Sequence, residues 1–305
     1  MKYLLITHTD LDGVSPIILL NLFGKEFDYF NVEVHEAKDF LEEKLKEGLD
    51  IYEKIYITDL SLSEESYKIM EESEYRDKIF VFDHHASHLF AKEYKNVTID
   101  INECGTTIFY KYLEKENGKI NDGILDYINN VRDIDIWLWE QNNNMTAVRL
   151  DNLFRIYGKD VFIKQMCERL ETADKFEFNE LETMLIESQE KRAREYMIKK
   201  EKEIFKINYL DKKAVAVYAD RHKSILGHHL AKKNPDCDYV IVINPSGGIS
   251  FRSEKEDADL TKVAATLGGG GHKKASGASF PKELQEKIIL ELFKGSEIID
   301  ESKSN

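Results

Sequence analysis

Short apolar runs alternate with amphipathic stretches through the first half of the chain. Tyr3-Leu4-Leu5-Ile6, Asn31-Val32-Glu33-Val34, Lys54-Ile55-Tyr56-Ile57 and Lys78-Ile79-Phe80-Val81-Phe82 read as β-strands, each ending in a polar or titratable cluster. Between them, Val14 to Phe23, Asp39 to Leu49 and Ser63 to Glu72 carry apolar residues at helical spacing, and Ser63 stands where an N-cap belongs. This βαβα rhythm predicts a parallel sheet covered by helices, with the ligand crevice beyond the carboxyl ends of the strands. Cys104 to Lys115 and Gly123 to Val131 read as further helices, the second followed by Arg132-Asp133-Ile134-Asp135-Ile136-Trp137.

From about Phe176 to Lys206 the chain becomes a charged run with Leu181, Leu185, Tyr196 and Ile204 at partly helical spacing, the pattern of a long exposed connecting helix. Strand signals return at Ala214 to Tyr218, Tyr239 to Ile243 and Gly248 to Arg252, with helical segments at Ser224 to Lys233, Leu260 to Leu267 and Lys282 to Phe293. The fold class expected is therefore α/β: a parallel-sheet domain over residues 1–180, a connecting helix over 181–207, and a smaller α/β domain over 208–305. The last residues, Ile299 to Asn305, are polar and expected to fray.

With 305 residues the chain has length for two cores. No stretch approaches the roughly 20 apolar residues of a membrane span, and Met1-Lys2-Tyr3-Leu4 runs into a strand without a signal-peptide pattern, so a cytoplasmic protein with no membrane partner is expected. Cys104, Cys167 and Cys237 are odd in number and far apart, which points to buried thiols rather than a disulfide framework or a zinc site. The net charge of −14 argues against a broad basic face for long nucleic acid, while leaving room for a local anion site. A surplus of carboxylates means a solvated surface or a cation site, and position decides between them.

In His8-Thr9-Asp10-Leu11-Asp12-Gly13 three titratable residues follow the first strand. Alone, Asp and Gly there would suit an ordinary turn. Asp59 ends a second strand, however, and Asp83-His84-His85 ends a third, and in a parallel sheet these ends share one edge. Facing carboxylates repel unless a cation compensates. Imidazole nitrogen with carboxylate oxygen suits manganese, iron, zinc or cobalt better than calcium. His8, Asp10, Asp12, Asp59, His84 and a further acid from Asp133 or Asp135 are too many ligands for one tetrahedral ion and enough for two octahedral ions. Two metals about 3.5–4 Å apart suit phosphate ester hydrolysis.

These motifs resemble the DHH phosphoesterase superfamily. Gly268-Gly269-Gly270-Gly271-His272-Lys273-Lys274-Ala275-Ser276-Gly277, preceded by Ile249-Ser250-Phe251-Arg252-Ser253, is similar to the DHHA1 domain that follows the catalytic domain in the RecJ and oligoribonuclease/cyclic-dinucleotide phosphodiesterase branch. The resemblance implies that His8, Asp10 and Asp59 hold one Mn2+ and that Asp12, Asp59, His84 and Asp133 hold another, with Asp59 shared. Mg2+ or Co2+ would be substitutes. Asp83 would orient a neighbour, and His85 would face the substrate phosphate as electrostatic partner or general acid. Asp135 is left to cap a helix or pair with Arg132. The His8-x-Asp10 spacing is shorter than the His-x-x-x-Asp of many members.

Four consecutive glycines read as a flexible linker or, beside His272 and two lysines, as a backbone that approaches an anion closely. The resemblance implies that Gly269, Gly270, Gly271, His272 and Arg252 recognise the nucleotide end remote from the scissile bond. His228-His229 lies in a helical segment, where adjacent residues diverge and make a poor chelate; Arg221 or His222 follows a strand and can reach a substrate. The activity implied is that of a manganese-dependent phosphodiesterase releasing nucleoside monophosphates from short RNA or DNA oligonucleotides or dinucleotides. The alternatives are a cyclic-dinucleotide or nucleotide bisphosphate phosphodiesterase, or a non-catalytic nucleotide sensor. Long duplexes are not expected as partners, and a homodimer is left open.

Overall fold

A computed structural model describes residues 2–298, so the tail expected to fray, residues 299–305, lies outside the described residues. The chain divides into two compact units, Met1–Glu187 and Ser188–Asn305.

The first unit is built on five parallel strands: β1 (Lys2–Thr7), β2 (Glu26–Asn31), β3 (Tyr52–Thr58), β4 (Ile79–Asp83) and β5 (Val97–Ile99), in the order β2-β1-β3-β4-β5. Both faces are covered, which is why its central strands read as nearly continuous apolar runs. Leu5, Tyr56 and Phe82 point to one face and meet α1 (Leu11–Leu22), α4 (Gly105–Asn117), α5 (Asp122–Asp135), α6 (Met145–Tyr157) and α7 (Lys159–Leu170). Leu4, Ile6, Ile55, Ile57, Ile79 and Val81 point to the other, against α2 (Ala37–Glu47), α3 (Glu64–Glu72) and a 3-10 helix over Ala86–Glu93. Ser63 caps α3 by accepting from the Ser66 amide.

Strand β2 occupies Glu26–Asn31, earlier than the Asn31 to Val34 run that its apolar alternation suggests. It is an edge strand, and one-sided pairing to β1 tolerates the half-exposed Glu26-Phe27-Asp28-Tyr29 pattern. Helix α5 runs further than Val131: Arg132 to Asp135 form its last turn rather than following it.

Helix α8 (Glu180–Glu201) is more than a connector. Its buried Glu182 accepts from Arg169 Nη2 and from Tyr157 Oη at 2.9 Å, and Ile186 joins the first core, so its amino-terminal half is fastened to the first unit.

The second unit is a mixed six-stranded sheet of β6 (Phe205–Tyr209), β7 (Lys212–Tyr218), β8 (Tyr239–Ile243), β9 (Gly248–Arg252), β10 (Gly270–His272) and β11 (Ala275–Ser279), in the order β10-β11-β9-β8-β7-β6. Only β7 and β8 run parallel, joined through α9 (Lys223–Lys233). Val215, Val217, Val240 and Val242 pack on α9 and on Tyr196 and Met197 of α8. The opposite face packs Ala216, Ile241 and Phe251 on α10 (Leu260–Ala265), and α11 (Lys282–Leu292) follows β11.

Candidate functional site

The turn after β1 is tied into the sheet before any ligand chemistry is considered. Thr58 Oγ1 donates to Thr7 Oγ1 at 2.7 Å, and Thr7 Oγ1 donates to the Gly13 carbonyl at 2.6 Å, a buried hydroxyl chain from β3 through β1 to α1. A Cβ on Gly13 would lie 2.4 Å from the His8 carbonyl oxygen, so only glycine lets α1 begin this close to the turn. Asp10 caps α1 by accepting from the Gly13 amide at 2.9 Å.

Asp12, fully buried, is fastened to the start of α4. Its two carboxylate oxygens accept from the amides of Gly105 (2.7 Å) and Thr106 (2.9 Å). Pro16, four residues on, has no N–H to give to the Asp12 carbonyl, and the Thr106 hydroxyl donates to it instead at 2.8 Å. Gly105 is required here as well, because a Cβ would come within 3.0 Å of both Asp12 Oδ2 and Asp59 Cβ.

Asp59 takes a left-handed conformation (φ 51°) that aspartate tolerates better than most residues, and its amide bonds the Phe82 carbonyl at 3.0 Å. Around it stand two donor groups. His8 Nδ1 lies 3.0 Å from Asp10 Oδ2 and 3.7 Å from Asp59 Oδ2. His84 Nε2 lies 3.3 Å from Asp59 Oδ1, 3.4 Å from Asp135 Oδ2 and 3.9 Å from Asp12 Oδ2. The fourth acid of this cluster is thus Asp135, which corrects the choice of Asp133. The Asp133 carboxylate is consumed by Arg132 Nη2, Asn142 Nδ2 and Asn144 Nδ2, all at 3.0 Å, and serves to hold the loop after α5.

Burial, and then the charges of Asp12 and Asp10, push the Asp59 and Asp135 carboxyls well above the usual carboxylate range. Burial would also raise Asp10, but hydrogen bonding to His8 and Gly13 overrides it and holds the carboxyl at about 2. Burial lowers His84. Asp59 Oδ2 and Asp135 Oδ2 are buried without a hydrogen-bond partner. Four convergent carboxylates, two of them with orphaned oxygens and all with an imidazole nitrogen within 3.9 Å, fit divalent cations with mixed oxygen and nitrogen preference.

Beside this cluster, buried Asp83 accepts from His85 Nδ1 at 2.8 Å. Burial is the largest single influence on His85 and lowers it, but the bond to Asp83 together with the charges of Asp83, Asp12 and Asp10 leaves it raised.

In the second unit, Arg252 lies half-buried across α9. Its Nη1 donates to the Phe251 carbonyl (2.8 Å) and its Nη2 to Ser224 Oγ (2.9 Å), and it meets no carboxylate among the described residues. A Cβ on Gly227 would strike Arg252 Cγ at 2.7 Å, so this glycine makes the groove for the arginine stem. The glycine segment is not a linker. Gly270–His272 pair with Ala275–Gly277 as a hairpin, and added Cβ atoms on Gly269 and Gly271 would lie 2.1 Å from the Gly277 carbonyl oxygen and 2.8 Å from that of Ala275. Those two glycines answer to close backbone packing; Gly270 faces open space, and His272 is exposed. His228 and His229 diverge as expected, toward Glu254 (2.7 Å) and Glu201 (2.5 Å). Arg221 lies over the Tyr196 ring, with its guanidinium carbon 5.1 Å from the ring centre.

Over 306 aligned residues the chain is 32% identical to oligoribonuclease NrnB of Bacillus subtilis (strain 168), covering 96% of this chain and 76% of that protein. The chain belongs to the DHH phosphoesterase superfamily. Residues 204–296 of this DHH protein match the DHHA1 domain. A 3',5'-cyclic-nucleotide phosphodiesterase of Helicobacter pylori (strain ATCC 700392 / 26695) is 23% identical over 325 aligned residues, covering 89% of this chain and 91% of that protein. The pGpG-specific phosphodiesterase PggH of Vibrio cholerae shares the fold, with a TM-score of 0.58 at 16% identity over 95% of this chain and 97% of that one. Among the described residues no helix is long and apolar enough to cross a membrane.

Of the residues singled out from the sequence, the fold of this DHH protein brings His8, Asp10, Asp12, Asp59, Asp83, His84 and His85 together and sends Asp133 elsewhere. The sequence offers Asp135 only as the alternative to Asp133, and it does not announce Gly105, Glu33 (3.7 Å from His8 Nε2) or His88 as parts of the cluster. A signal for Asp135 exists: it continues the buried stripe Ile124, Ile128, Val131 of α5 at helical spacing, whereas Asp133 does not.

Proposed function

We propose that the protein is a metal-dependent phosphodiesterase that hydrolyses short oligonucleotides, down to linear dinucleotides, to nucleoside monophosphates. The observation that carries the reading is the convergence of Asp10, Asp12, Asp59 and Asp135 with His8 and His84, two of the acids having buried oxygens without a partner. His8, Asp10 and Asp59 would hold one Mn2+, and Asp12, Asp59, His84 and Asp135 the other, Asp59 serving both. Such ions supply an activated water and neutralise charge on phosphoryl oxygens.

The chain's own residues do the rest. Asp83 fixes the His85 ring through Nδ1, which leaves Nε2 to bind a phosphoryl oxygen or to give a proton to the leaving oxygen. Arg252, desolvated and without a carboxylate among the described residues, suits a terminal phosphate, with the open backbone at Gly270 and the exposed His272 as further contacts. The names of the relatives support a nucleotide substrate. That of the Helicobacter pylori protein favours a cyclic nucleotide as the second reading.

The test is a substrate panel. Purified protein with Mn2+, Mg2+ or Co2+ is incubated with pApA, cyclic di-AMP, a 24-mer RNA and adenosine bisphosphate. Fastest turnover of pApA is expected; faster turnover of cyclic di-AMP supports the second reading, and no turnover of any substrate overturns both.

A further inference from the structure

Asp83 has two carboxylate oxygens, and the role given to it above uses one. The second, Oδ2, lies 2.5 Å from His88 Nδ1. The contact is off the line of a hydrogen bond, and neither atom has another hydrogen-bond partner among the described residues, so it acts as a close polar contact that fills the space beside Oδ2. His88 is 2% exposed, and its ring meets Tyr67 edge-on, with centroids 5.9 Å apart. Its other nitrogen, Nε2, lies 3.1 Å from Ser61 Oγ. The sequence places Ser61 two residues after Asp59 and His88 three residues after His85, in the first turn of the 3-10 helix. A line of contacts therefore runs from Ser61 through His88 and Asp83 to His85.

The geometry has a direct consequence for Asp83. A carboxylate held at one oxygen still turns about its Cβ–Cγ bond; held at both, it presents Oδ1 in one direction only. His85 sits at the partly exposed end of this line and takes its ring orientation from that oxygen. We propose that His88, itself steered by Ser61, is a positioning residue for His85, fixing the Asp83 carboxylate so that His85 Nε2 faces the leaving oxygen of the substrate. The proposal rests on the general-acid reading of His85. In that step a water oxygen bonds to phosphorus, the P–O bond to the leaving group breaks, and the proton on Nε2 passes to the departing oxygen.

Alanine at a buried position leaves a cavity, so the test uses two polar variants of similar size. Asparagine carries an amide N–H near the Nδ1 position, toward Asp83; glutamine carries its amide near Nε2, toward Ser61. Two substrates separate positioning from folding. The linear dinucleotide pApA leaves through a poor alkoxide and needs a proton, whereas a p-nitrophenyl ester of thymidine 5'-phosphate leaves through a stabilised phenolate and does not. For His88→Gln, kcat on pApA is expected to fall about 10–100-fold, as when a residue orienting a functional group is lost. KM should stay within about twofold and the ester rate within about threefold of the parent, since acid catalysis is dispensable there. His88→Asn is expected to restore most of the pApA rate. Melting temperature and Mn2+ binding by calorimetry are measured for each variant.

Equal loss on both substrates, or glutamine rescuing as well as asparagine, overturns the role of His88. His85→Ala is run beside them. If it too fails to distinguish the substrates, the general-acid reading is what fails; if it distinguishes them and His88→Gln does not, only the present inference falls.

Discussion

Replacing Asp135 by asparagine should stabilise this protein without metal and cripple it with metal. Asp12 and Asp135 place carboxylate oxygens within 4.8 Å of each other, where two unit charges repel by about 3.5 kcal/mol at an effective dielectric constant of about 20. Proton uptake already relieves part of this, because burial and the charge of Asp12 hold the Asp135 carboxyl well above its ordinary range. A neutral amide should therefore return about 1–3 kcal/mol to the chelated protein. At roughly 2–4 °C per kcal/mol for a unit of this size, its Tm rises by about 2–12 °C. With Mn2+ the order inverts. The variant keeps a neutral amide oxygen but loses the negative charge and one of the two oxygens, and its affinity should fall by at least the roughly 10–100-fold that loss of a ligand's supporting residue costs.

Asp133→Asn is the control. Asp133 is bound by Arg132, Asn142 and Asn144, so an amide there leaves Arg132 only the more distant Glu103 (3.9 Å) as a charged partner and costs about 1–3 kcal/mol in chelator and in Mn2+ alike. Differential scanning calorimetry in EDTA and in Mn2+, with titration calorimetry of Mn2+, reads both variants. A fall in Tm for chelated Asp135→Asn refutes the reasoning, as does selective loss of Mn2+ binding in Asp133→Asn.

Gly105→Ala should push Asp12 and Asp59 apart, since its Cβ would stand 3.0 Å from each; overpacking of this kind costs about 1–3 kcal/mol, and Mn2+ affinity should drop with Tm. A variant that binds Mn2+ like the parent would show that the site tolerates the shift. Arg252→Lys should raise KM for pApA by about tenfold with kcat within about threefold, because an ammonium cannot reproduce the forked geometry of guanidinium. Steady-state kinetics checks this, and an unchanged KM removes Arg252 from substrate binding.

Much of the cluster is legible in the sequence because strand ends carry it. His8, Asp10, Asp12, Asp59 and Asp83-His84-His85 each fall within a few residues of an apolar run, and parallel pairing of β1, β3 and β4 puts those ends on one edge whatever the detailed packing. The fourth acid comes from a helix, where order along the chain misleads. Asp133 and Asp135 are two positions apart on α5 and face different ways, so pitch decides which one meets His84. His88 escapes notice for a similar reason, since the 3-10 turn that brings it back under Asp83 has no apolar period to announce it. In the second unit, β10 and β11 are made of glycine, alanine, serine and histidine, so hydrophobic alternation cannot reveal them.

The position of Asp135 on the last turn of α5 also bears on kinetics. A chain made from its amino terminus has β1, β3 and β4, and with them Asp10, Asp12, Asp59 and His84, some fifty residues before it has Asp135. The donor set closes only when α5 has settled onto α1 and α4. An ion that needs the whole set reads the finished unit and is blind to its early nucleus. Metal should then lengthen the lifetime of the native state, slowing unfolding while leaving the refolding rate nearly untouched.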